Sequence, residues 1–583
     1  MSHLTRLATR KLPVFMRSIV GSDGPVCRTP AELAAKACDR CKEKKRRCDK
    51  GLPSCSLCSR QAGPRSSKIV QLSLLIPTCL IRLVQACNYS ERSGIPHEDE
   101  IRRLRSRVQD LEQIVANSSS ESTLSPEENF SQIALDSQQS PDFYMQATFL
   151  DHEIAQHLKY SATTLDFAIP EYISKFLGDQ DQMDELVSTY LGSIHKWMPI
   201  ISRLKLTRMR SAQPQLADQA LLLLCMELLC HTPTSARADT SPIYVAAKHF
   251  LSNLQTAGFL SLRTLQAGLL ISVYEIGHAI YPAAYVSVGT CARQGVALGA
   301  HRHSSSQTAQ NPLTWIDWEE KQRVWWLVLI LDRFVTLGLD ERPLCTQEPS
   351  AMSYIPADDT AWDNGDIRPP ERVLASTPPD VKLSRFARLA QSANLLGRVI
   401  RHCDDGNHDV QFAATDFNLI CGAIQSLLEL ILSESIGVDL DYTSLGLCFS
   451  ALTKIASHHS CDSFSQHPAE WSPESASLIR GTTQHALQTL KDTTARLIEF
   501  ASALEEAANI NMESISPLVL HCLYYCAITS AWLASESADE LYIKGLLSCK
   551  RILEAMDNRW KLAGAYLKLI QMVENDLMSG SMS

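Results

Sequence analysis

The sequence predicts a small zinc-knotted module and a short coiled coil, followed by a large all-α domain. Three observations predict it. Five cysteines fall within residues 37–58, "ACDRCKEKKRRCDKGLPSCSLC", at a spacing suited to metal ligation. Apolar residues then recur in alternating steps of three and four over 101–115. From about residue 145 onward helical periodicity dominates, and strand-like alternation is scarce.

Length and charge divide the chain the same way. At 583 residues it exceeds one ordinary core, and about two to four domains are expected. Apolar residues make up 45% of it, enough for a packed interior. The net charge of −9 is unevenly spread. Residues 1–110 hold 22 Lys and Arg against 10 Asp and Glu, a balance of +12, and the remainder holds 33 against 54, a balance of −21. A basic head on an acidic body suggests that the head meets a polyanion and the body does not. The chain has 19 cysteines, and outside the cluster most sit in apolar helical runs, as at Cys225, Cys230, Cys291, Cys421, Cys522 and Cys526, in the manner of free buried thiols. No secretory signal is read, so the expectation is a reducing compartment, where clustered cysteines bind metal rather than pair.

Taken in order, residues 1–35 read as a disordered basic tail. Their first twenty residues carry Arg6, Arg10, Lys11 and Arg17 and no acid, which is also the composition of a mitochondrial transit peptide; the module that follows argues against that reading. Residues 36–96 form the cysteine module, and 97–116 a short helix. Residues 117–144 are a linker rich in Ser, Gln and Asn, and 145–578 the all-α domain, with runs such as "LADQALLLLCMELLC" (216–230) and "SPLVLHCLYYCAITSAWLA" (516–534). The chain between 340 and 380 is rich in Pro and Asp and reads as a break between helices. No run reaches 18 clean apolar residues, and no membrane span is expected.

In the module, Cys38, Cys41 and Cys48 form one C-x2-C-x6-C half, and Cys55 and Cys58 begin a second. Six thiolates hold two zinc ions if two of them bridge, so that each ion has four sulfur ligands and no open position for a reacting group. Such a site is structural. Between the ligands lies "KEKKRR", and residues 36–50 carry eight Lys and Arg against three acids. Held by the metal, Lys42, Lys44, Lys45, Arg46 and Arg47 would present a dense positive face to phosphates and the major groove. A merely solvated charge run is the competing reading, and the flanking ligand spacing disfavours it.

The pattern resembles that of the fungal binuclear zinc-cluster transcription factors, in which two such halves flank a loop carrying a proline. Here the loop is "DKGLPS", with Pro53 in that place. The resemblance implies two zinc ions bridged by Cys38 and Cys55, with Lys44 and Lys45 facing double-stranded DNA. It makes Lys45 the best candidate for a base contact at CGG-type half-sites, and it implies a nuclear location.

The family expects a sixth cysteine within about eight residues of Cys58, but here the next are Cys79 and Cys87, with 20 and 28 residues between. The text around Cys87, "ACNYSERSG", is similar to the family's closing segment. Removing Pro64–Gln85 leaves "CSLCSRQAGACNYSERSG" and a gap of six residues. The removed "PRSSKIVQLSLLIPTCLIRLVQ" is apolar, lacks acids, and corresponds to 22 codons. It is therefore expected to be retained intron sequence. A genuine long loop is the alternative, since loop entropy alone does not forbid it. On either reading Cys87 is the expected sixth ligand.

In "IRRLRSRVQDLEQIV", Ile101, Leu104, Val108, Leu111 and Val115 make an a/d seam for a parallel homodimer, with Arg107 and Glu112 placed to pair across it. Just over two heptads is marginal alone, and packing on its own chain is the competing reading. Following a zinc module, as in the family, the seam would set the spacing of two DNA half-sites.

The body also resembles the family's middle regulatory region. "ELVSTYLGSIHKWMPIIS" (185–202) looks like its opening helix, and 264–303 like its central helix pair, closing in "LGAH". "EEKQRVWWLVLILDRFVTLGLDERPL" (319–344) looks like its most recognisable block: a charged turn, Trp325–Trp326, Asp332–Arg333, and an Arg342–Pro343 turn preceded by Glu341 where the family often has Gly. Trp326, Leu327, Leu329, Ile330 and Phe334 are expected in the core, and Asp332 with Arg333 as an ion pair. His278, His301 and His303 lack carboxylates at ligand spacing. No nucleophile triad, phosphate loop or dinucleotide fingerprint is found, and no enzyme is expected. A small-molecule effector or co-regulator would act through this body, which is apolar enough to hold a pocket between its helices.

Overall fold

The computed structural model describes residues 167–580, interrupted at 210–213, 215, 234–236, 302–313, 339–341, 376–380, 405–408, 436–439 and 461–471, together with the pair 149–150. The cysteine module, the 64–85 segment, the a/d seam, the linker and the basic tail lie outside the described residues. Those described belong to one compact unit whose long segment is Tyr144–Ser583.

That unit is helical, as expected. The first helices are α1 (Glu171–Leu177), α2 (Gln180–Gly192), α3 (Arg203–Met209), α4 (Ala217–Cys230), α5 (Pro242–Thr256), α6 (Leu262–Gly277), α7 (Ala283–Ala297) and α8 (Trp315–Thr336). After the Pro- and Asp-rich break, which holds only the short α9 (Asp359–Asn364), come α10 (Arg385–Asp404), α11 (Val410–Glu434), α12 (Tyr442–Ser460) and α13 (Pro473–Asn511). The chain closes with α14 (Leu520–Ser537), α15 (Glu540–Met556) and α16 (Leu562–Gly580). Among the described residues the only β pairing outside helices is an isolated bridge between Tyr354 and Leu374.

Local chemistry sets the helix starts. Asp179, Ser261 and Thr314 each cap their helix in a reciprocal box with the residue three on, Gln182, Thr264 and Asp317. These boxes satisfy backbone donors that the first helical turn leaves unpaired. Packing then runs largely between neighbours in sequence: α4 on α6, α6 on α7, α7 on α8, then α10 on α12, α12 on α13, and α14 on α15 and α16. Two helices sit at the centre. Every residue of α6 from Thr264 to Gly277 is buried, and so is α8 from Trp318 to Thr336 except Lys321. A helix buried on all sides has no polar face to show water; α6 is accordingly apolar over most of its length, while the buried charges of α8, Glu319, Glu320, Arg323, Asp332 and Arg333, need partners inside the protein.

The C-terminal helices close onto the first half. The turn between α15 and α16 carries Arg559 and Trp560, both buried. Arg559 Nη2 donates to the Leu229 carbonyl at the end of α4 at 2.6 Å, and its Nε pairs with Glu513. Trp560 Nε1 donates to the Ile515 carbonyl at 3.0 Å. Its ring lies so close to Gly277 that a Cβ there would stand 2.3 Å from it. Any larger residue at 277 would force α6 and this turn apart.

Two helices are long and apolar enough to cross a membrane by length and composition, α11 and the run Pro517–Ser537. That differs from the expectation drawn from uninterrupted apolar runs. Both pack against neighbouring helices of the unit, α11 on α10, α12 and α13, and α14 on α12, α15 and α16. A core helix and a spanning helix meet the same hydropathy test, because both exclude water.

Candidate metal and nucleic-acid site, and the helical body

The proposed zinc ligands Cys38, Cys41, Cys48, Cys55, Cys58 and Cys87 lie outside the described residues. So do the basic residues Lys42 to Arg47 and the seam residues Ile101 to Val115. The donor set itself bears on the fit: five cysteines at C-x2-C-x6-C-x6-C-x2-C supply soft thiolates at zinc spacing. Among the described residues no group of three or more His, Cys, Asp or Glu side chains converges to hold a metal. Cys225, Cys291, Cys421 and Cys448 of the body are buried and in no disulfide. Burial pushes the thiols of Cys291, Cys421 and Cys448 up to about 12, so they behave as small apolar side chains.

The block at 319–344 takes a different form from the turn its charges suggested. Glu319, Glu320 and Arg323 lie inside α8 and are all buried. Arg323 Nε donates to Glu319 Oε1 at 2.9 Å, Nη1 to Asp359 Oδ1 at 2.7 Å, and Nη2 to the Ala357 carbonyl at 2.7 Å. Its guanidinium lies 4.3 Å from the Trp362 ring centre and 5.6 Å from that of Phe386. Burial alone would lower its pKa, but Asp359 and Glu319 outweigh that and raise it. Glu320 accepts from the backbone of Ser202 at 2.9 Å and from Gln266 at 3.1 Å, and it pairs with Lys205. These charges pin α8 to the 199–205 segment, to α6 and to the 357–359 loop. A buried charge is tolerable only when so paired.

Trp326, Leu327, Leu329, Ile330 and Phe334 are in the core as expected. Asp332 and Arg333 form the expected ion pair, at 3.9 Å, and each is held more closely by a third residue. Both grip the segment after the Arg342–Pro343 turn. Asp332 Oδ2 accepts from the Thr346 amide at 2.9 Å and from its hydroxyl at 2.6 Å, while Arg333 Nη1 donates to the Thr346 oxygen at 2.7 Å. Adjacent residues of a helix point about 100° apart, so a third group between them satisfies both better than a direct contact does. Burial holds Arg333 down to about 10, still protonated at neutral pH.

Of the histidines noted in the sequence, His278 is buried between Tyr274 and Trp560 and accepts from the Lys561 amide at 3.5 Å. His301 packs near Trp325, and His303 lies outside the described residues. Sequence reading passed over four other buried histidines, His195, His402, His459 and His521. His459 Nε2 meets His402 Nε2 at 2.7 Å, with Asp416 on the far nitrogen of His402, and His521 bonds Ser450 at 3.0 Å. Burial, aided by nearby cations or imidazoles, depresses His278, His459 and His521 to about 3.

A pH dependence of folding follows. Above an ordinary imidazole pKa of 6.5 the three are neutral in both states, and they leave stability flat. Below it the unfolded chain takes up three protons that the folded chain refuses until about pH 3. Asp441, raised by burial to about 6 from 3.8, works the other way and offsets one proton; Glu227 and Glu319, also raised by burial, soften the slope further. The net of about two protons destabilises the body by roughly 3 kcal/mol per pH unit below pH 6. Urea unfolding of the chain between pH 8 and 5 should show a plateau and then this fall. A stability that rises on acidification would contradict the assignment.

Comparison with known proteins adds two family matches and several relatives. Residues 36–62 match the fungal Zn(2)-Cys(6) binuclear cluster domain, and residues 187–453 the fungal specific transcription factor domain. The first match contains Cys38, Cys41, Cys48, Cys55 and Cys58 and ends short of Cys79 and Cys87. The chain is 41% identical over 181 residues to transcription factor BOA15 of Botryotinia fuckeliana, a stretch that is 31% of this chain and 99% of that protein. It is 25% identical over 363 residues to the pigment biosynthesis transcriptional activator pigB of Monascus ruber, 59% of this chain and 60% of that one. It is also 25% identical over 247 residues to the asperfuranone cluster transcription factor afoA of Emericella nidulans, 37% of this chain and 36% of that one.

Proposed function

Because the chain belongs to the fungal transcription factors that join a Zn(2)-Cys(6) binuclear cluster to a fungal-specific transcription factor domain, we propose that it binds specific DNA sequences and regulates RNA polymerase II genes. It is a transcription factor and not an enzyme, and its cluster domain binds two zinc ions. The observation that carries the DNA reading is "KEKKRR" enclosed by the ligands of that cluster. Zinc supplies rigidity there and no reaction; the basic residues do the binding. Cys38, Cys41, Cys48, Cys55, Cys58 and Cys87 hold the ions, with Cys38 and Cys55 bridging. The five basic side chains from Lys42 to Arg47 approach the duplex, and the seam from Ile101 to Val115 pairs two copies on CGG-type half-sites. The location is nuclear. Two relatives carry names that tie them to pigment and asperfuranone production, which supports a secondary-metabolite gene cluster as target, a catabolic one being the alternative.

A second reading rests on one observation: the cluster match ends at residue 62, and the next cysteine is Cys79. If residues 64–85 belong to the working protein, the second half of the cluster is stretched, and the chain acts as a zinc-containing interaction regulator without DNA. Gel-shift assays on the full chain with and without 64–85 separate the two.

In the DNA-binding form, Lys45→Ala should weaken binding to the target by about 1–3 kcal/mol and relax the choice of base at one position. Arg47→Ala should weaken all sequences alike and flatten the salt dependence. Equal losses on target and random DNA in both variants would mean that neither side chain reads sequence.

A further inference from the structure

The body is acidic overall, yet one stretch of it is not. Between Glu185 and Asp218 the sequence holds five Lys and Arg and no acid: Lys196, Arg203, Lys205, Arg208 and Arg210. Lys205 is used internally, on Asp317 and Glu320, and Arg210 lies outside the described residues. Lys196, Arg203 and Arg208 are exposed and, among the described residues, in no ion pair.

The fold gathers these cations around α9. His195 Nε2 bonds Asp363 Oδ1 at 3.0 Å, which brings the neighbouring Lys196 to that helix. Leu204 of α3 lies against Gly365, the left-handed cap of α9, where a Cβ would stand 2.2 Å from the leucine Cδ1. Arg208 is one turn along α3 from Leu204, on the same side. After Gly365 the chain runs into the loop "DIRPPER" (366–372). Its Ile367 is 96% exposed, and its Arg368 is a further exposed cation in no ion pair among the described residues. The loop is held at both ends. The Asp366 carbonyl accepts from Trp315 Nε1 at 2.6 Å, and the Arg372 guanidinium lies 3.9 Å from the Trp318 ring centre. Arg368 and Pro369 each precede a proline, which biases both to extended backbone, so the loop has little freedom left to lose on binding.

We propose that the surface made by Lys196, Arg208, Ile367 and Arg368 docks an acidic peptide segment of a partner protein, with an apolar side chain of that segment seated on Ile367. That such a partner is a co-regulator rests on the family reading above; the docking itself does not. Charge complementarity selects the partner. Residues 111–583 carry a balance of −21, so an acidic segment is repelled by most of the body and attracted here. A nucleic acid is anionic too, but two observations favour a peptide. The most exposed of these four side chains for which a contact is at stake is an isoleucine, which a phosphate backbone cannot use. Asp366 and Glu371 are also exposed on the same loop. A backbone charged at every step would meet both, whereas a peptide can place uncharged residues there.

The test uses the full zinc-loaded chain. A fluorescein-labelled peptide, acetyl-Glu-Asp-Asp-Leu-Glu-Phe-Asp-Glu, is titrated without DNA and its anisotropy followed. Saturable binding is expected, weakening about tenfold between roughly 50 and 300 mM NaCl. The double variant Arg208→Glu/Arg368→Glu should lose about tenfold or more, whereas Arg480→Glu, at an exposed arginine on α13, should change little. Ile367→Ser should weaken binding about threefold or more, and that loss should vanish with a peptide whose Leu and Phe are replaced by Ser. Helical circular dichroism checks folding; should the double variant not fold, Arg368→Glu on the loop decides alone. Gel shifts of the same variants read the DNA function separately and should match the parent, because its contacts lie in the head. Absence of saturable binding would overturn the proposal, as would a charge variant or an Ile367→Ser chain that binds the peptide like the parent. If the charge variant weakens a random DNA duplex as much as the peptide, the surface belongs to phosphates and the proposal also falls.

Discussion

A Cys55→Ala chain is expected to lose both zinc ions and, with them, all preference for its DNA site. Each ion needs four sulfur ligands, and six cysteines supply that number only if two thiolates are shared. Removing a shared ligand leaves both ions three-coordinate, whereas removing Cys41 or Cys58 would open one ion alone. The loss is large because ligation and folding are one event in so small a module: structural zinc contributes on the order of 10–16 kcal/mol, and little apolar core exists to replace it. Metal analysis of the purified chain reads the result as a fall from two equivalents to none, and a gel shift reads it as loss of the specific band. Cys79→Ala should retain both ions, and so should deletion of 64–85, which brings Cys87 to six residues from Cys58. The body should keep its helical circular dichroism throughout. A parent chain with a single zinc, or a Cys55→Ala chain that keeps one firmly, is incompatible with the shared-ligand arrangement.

Arg323→Met should destabilise the body by about 3–5 kcal/mol, the largest effect expected of any single substitution in it. The methionine fills most of the volume, so the cost is not a cavity. It is the buried Glu319 carboxylate left without its cation, the Ala357 carbonyl left without a donor, and Asp359 freed from its 2.7 Å contact. Adding Glu319→Gln to Arg323→Met should recover part of the loss, because the uncompensated charge is then gone. Lys544→Ala, which breaks an exposed pair with Glu540, is the control and should cost less than about 1 kcal/mol. Urea unfolding at pH 7.5, above the range where the histidines titrate, measures all of these. A loss under about 1 kcal/mol for Arg323→Met would show that water reaches the site and that the charges are not truly buried.

These two predictions lie on opposite sides of what could be read in advance. Five of the six ligands that the first needs are written within 22 consecutive residues, "ACDRCKEKKRRCDKGLPSCSLC", while Cys87 as the sixth and Cys55 as a shared ligand are what the resemblance to the family implies. A tetrahedral ion asks for ligands at short fixed separations, so the spacing of these five cysteines points to zinc, and the resemblance supplies which thiolates are shared. The helical class of the body was legible for a similar reason: the 3.6-residue period is local, and runs such as 216–230 and 319–337 carry it without help from distant residues. So was the burial of Trp326, Leu327, Leu329, Ile330 and Phe334, since an apolar run with no polar face has only an interior to occupy.

What the tertiary structure alone decided concerns charges, rings and hydrogen-bonding groups whose partners are remote in sequence. Glu319, Glu320 and Arg323 look like a solvated turn until Pro199, Ser202 and Asp359 are brought to them. Asp332 and Arg333 pair as expected, but only the fold brings Thr346 to bond both. Arg559 reaches the end of α4 across 330 positions, and Gly277 owes its missing side chain to Trp560. An apolar residue lowers its free energy in any dry place, so periodicity is enough to place it. A buried charge or hydroxyl needs one particular partner at about 3 Å, and only the fold determines which distant residue that is.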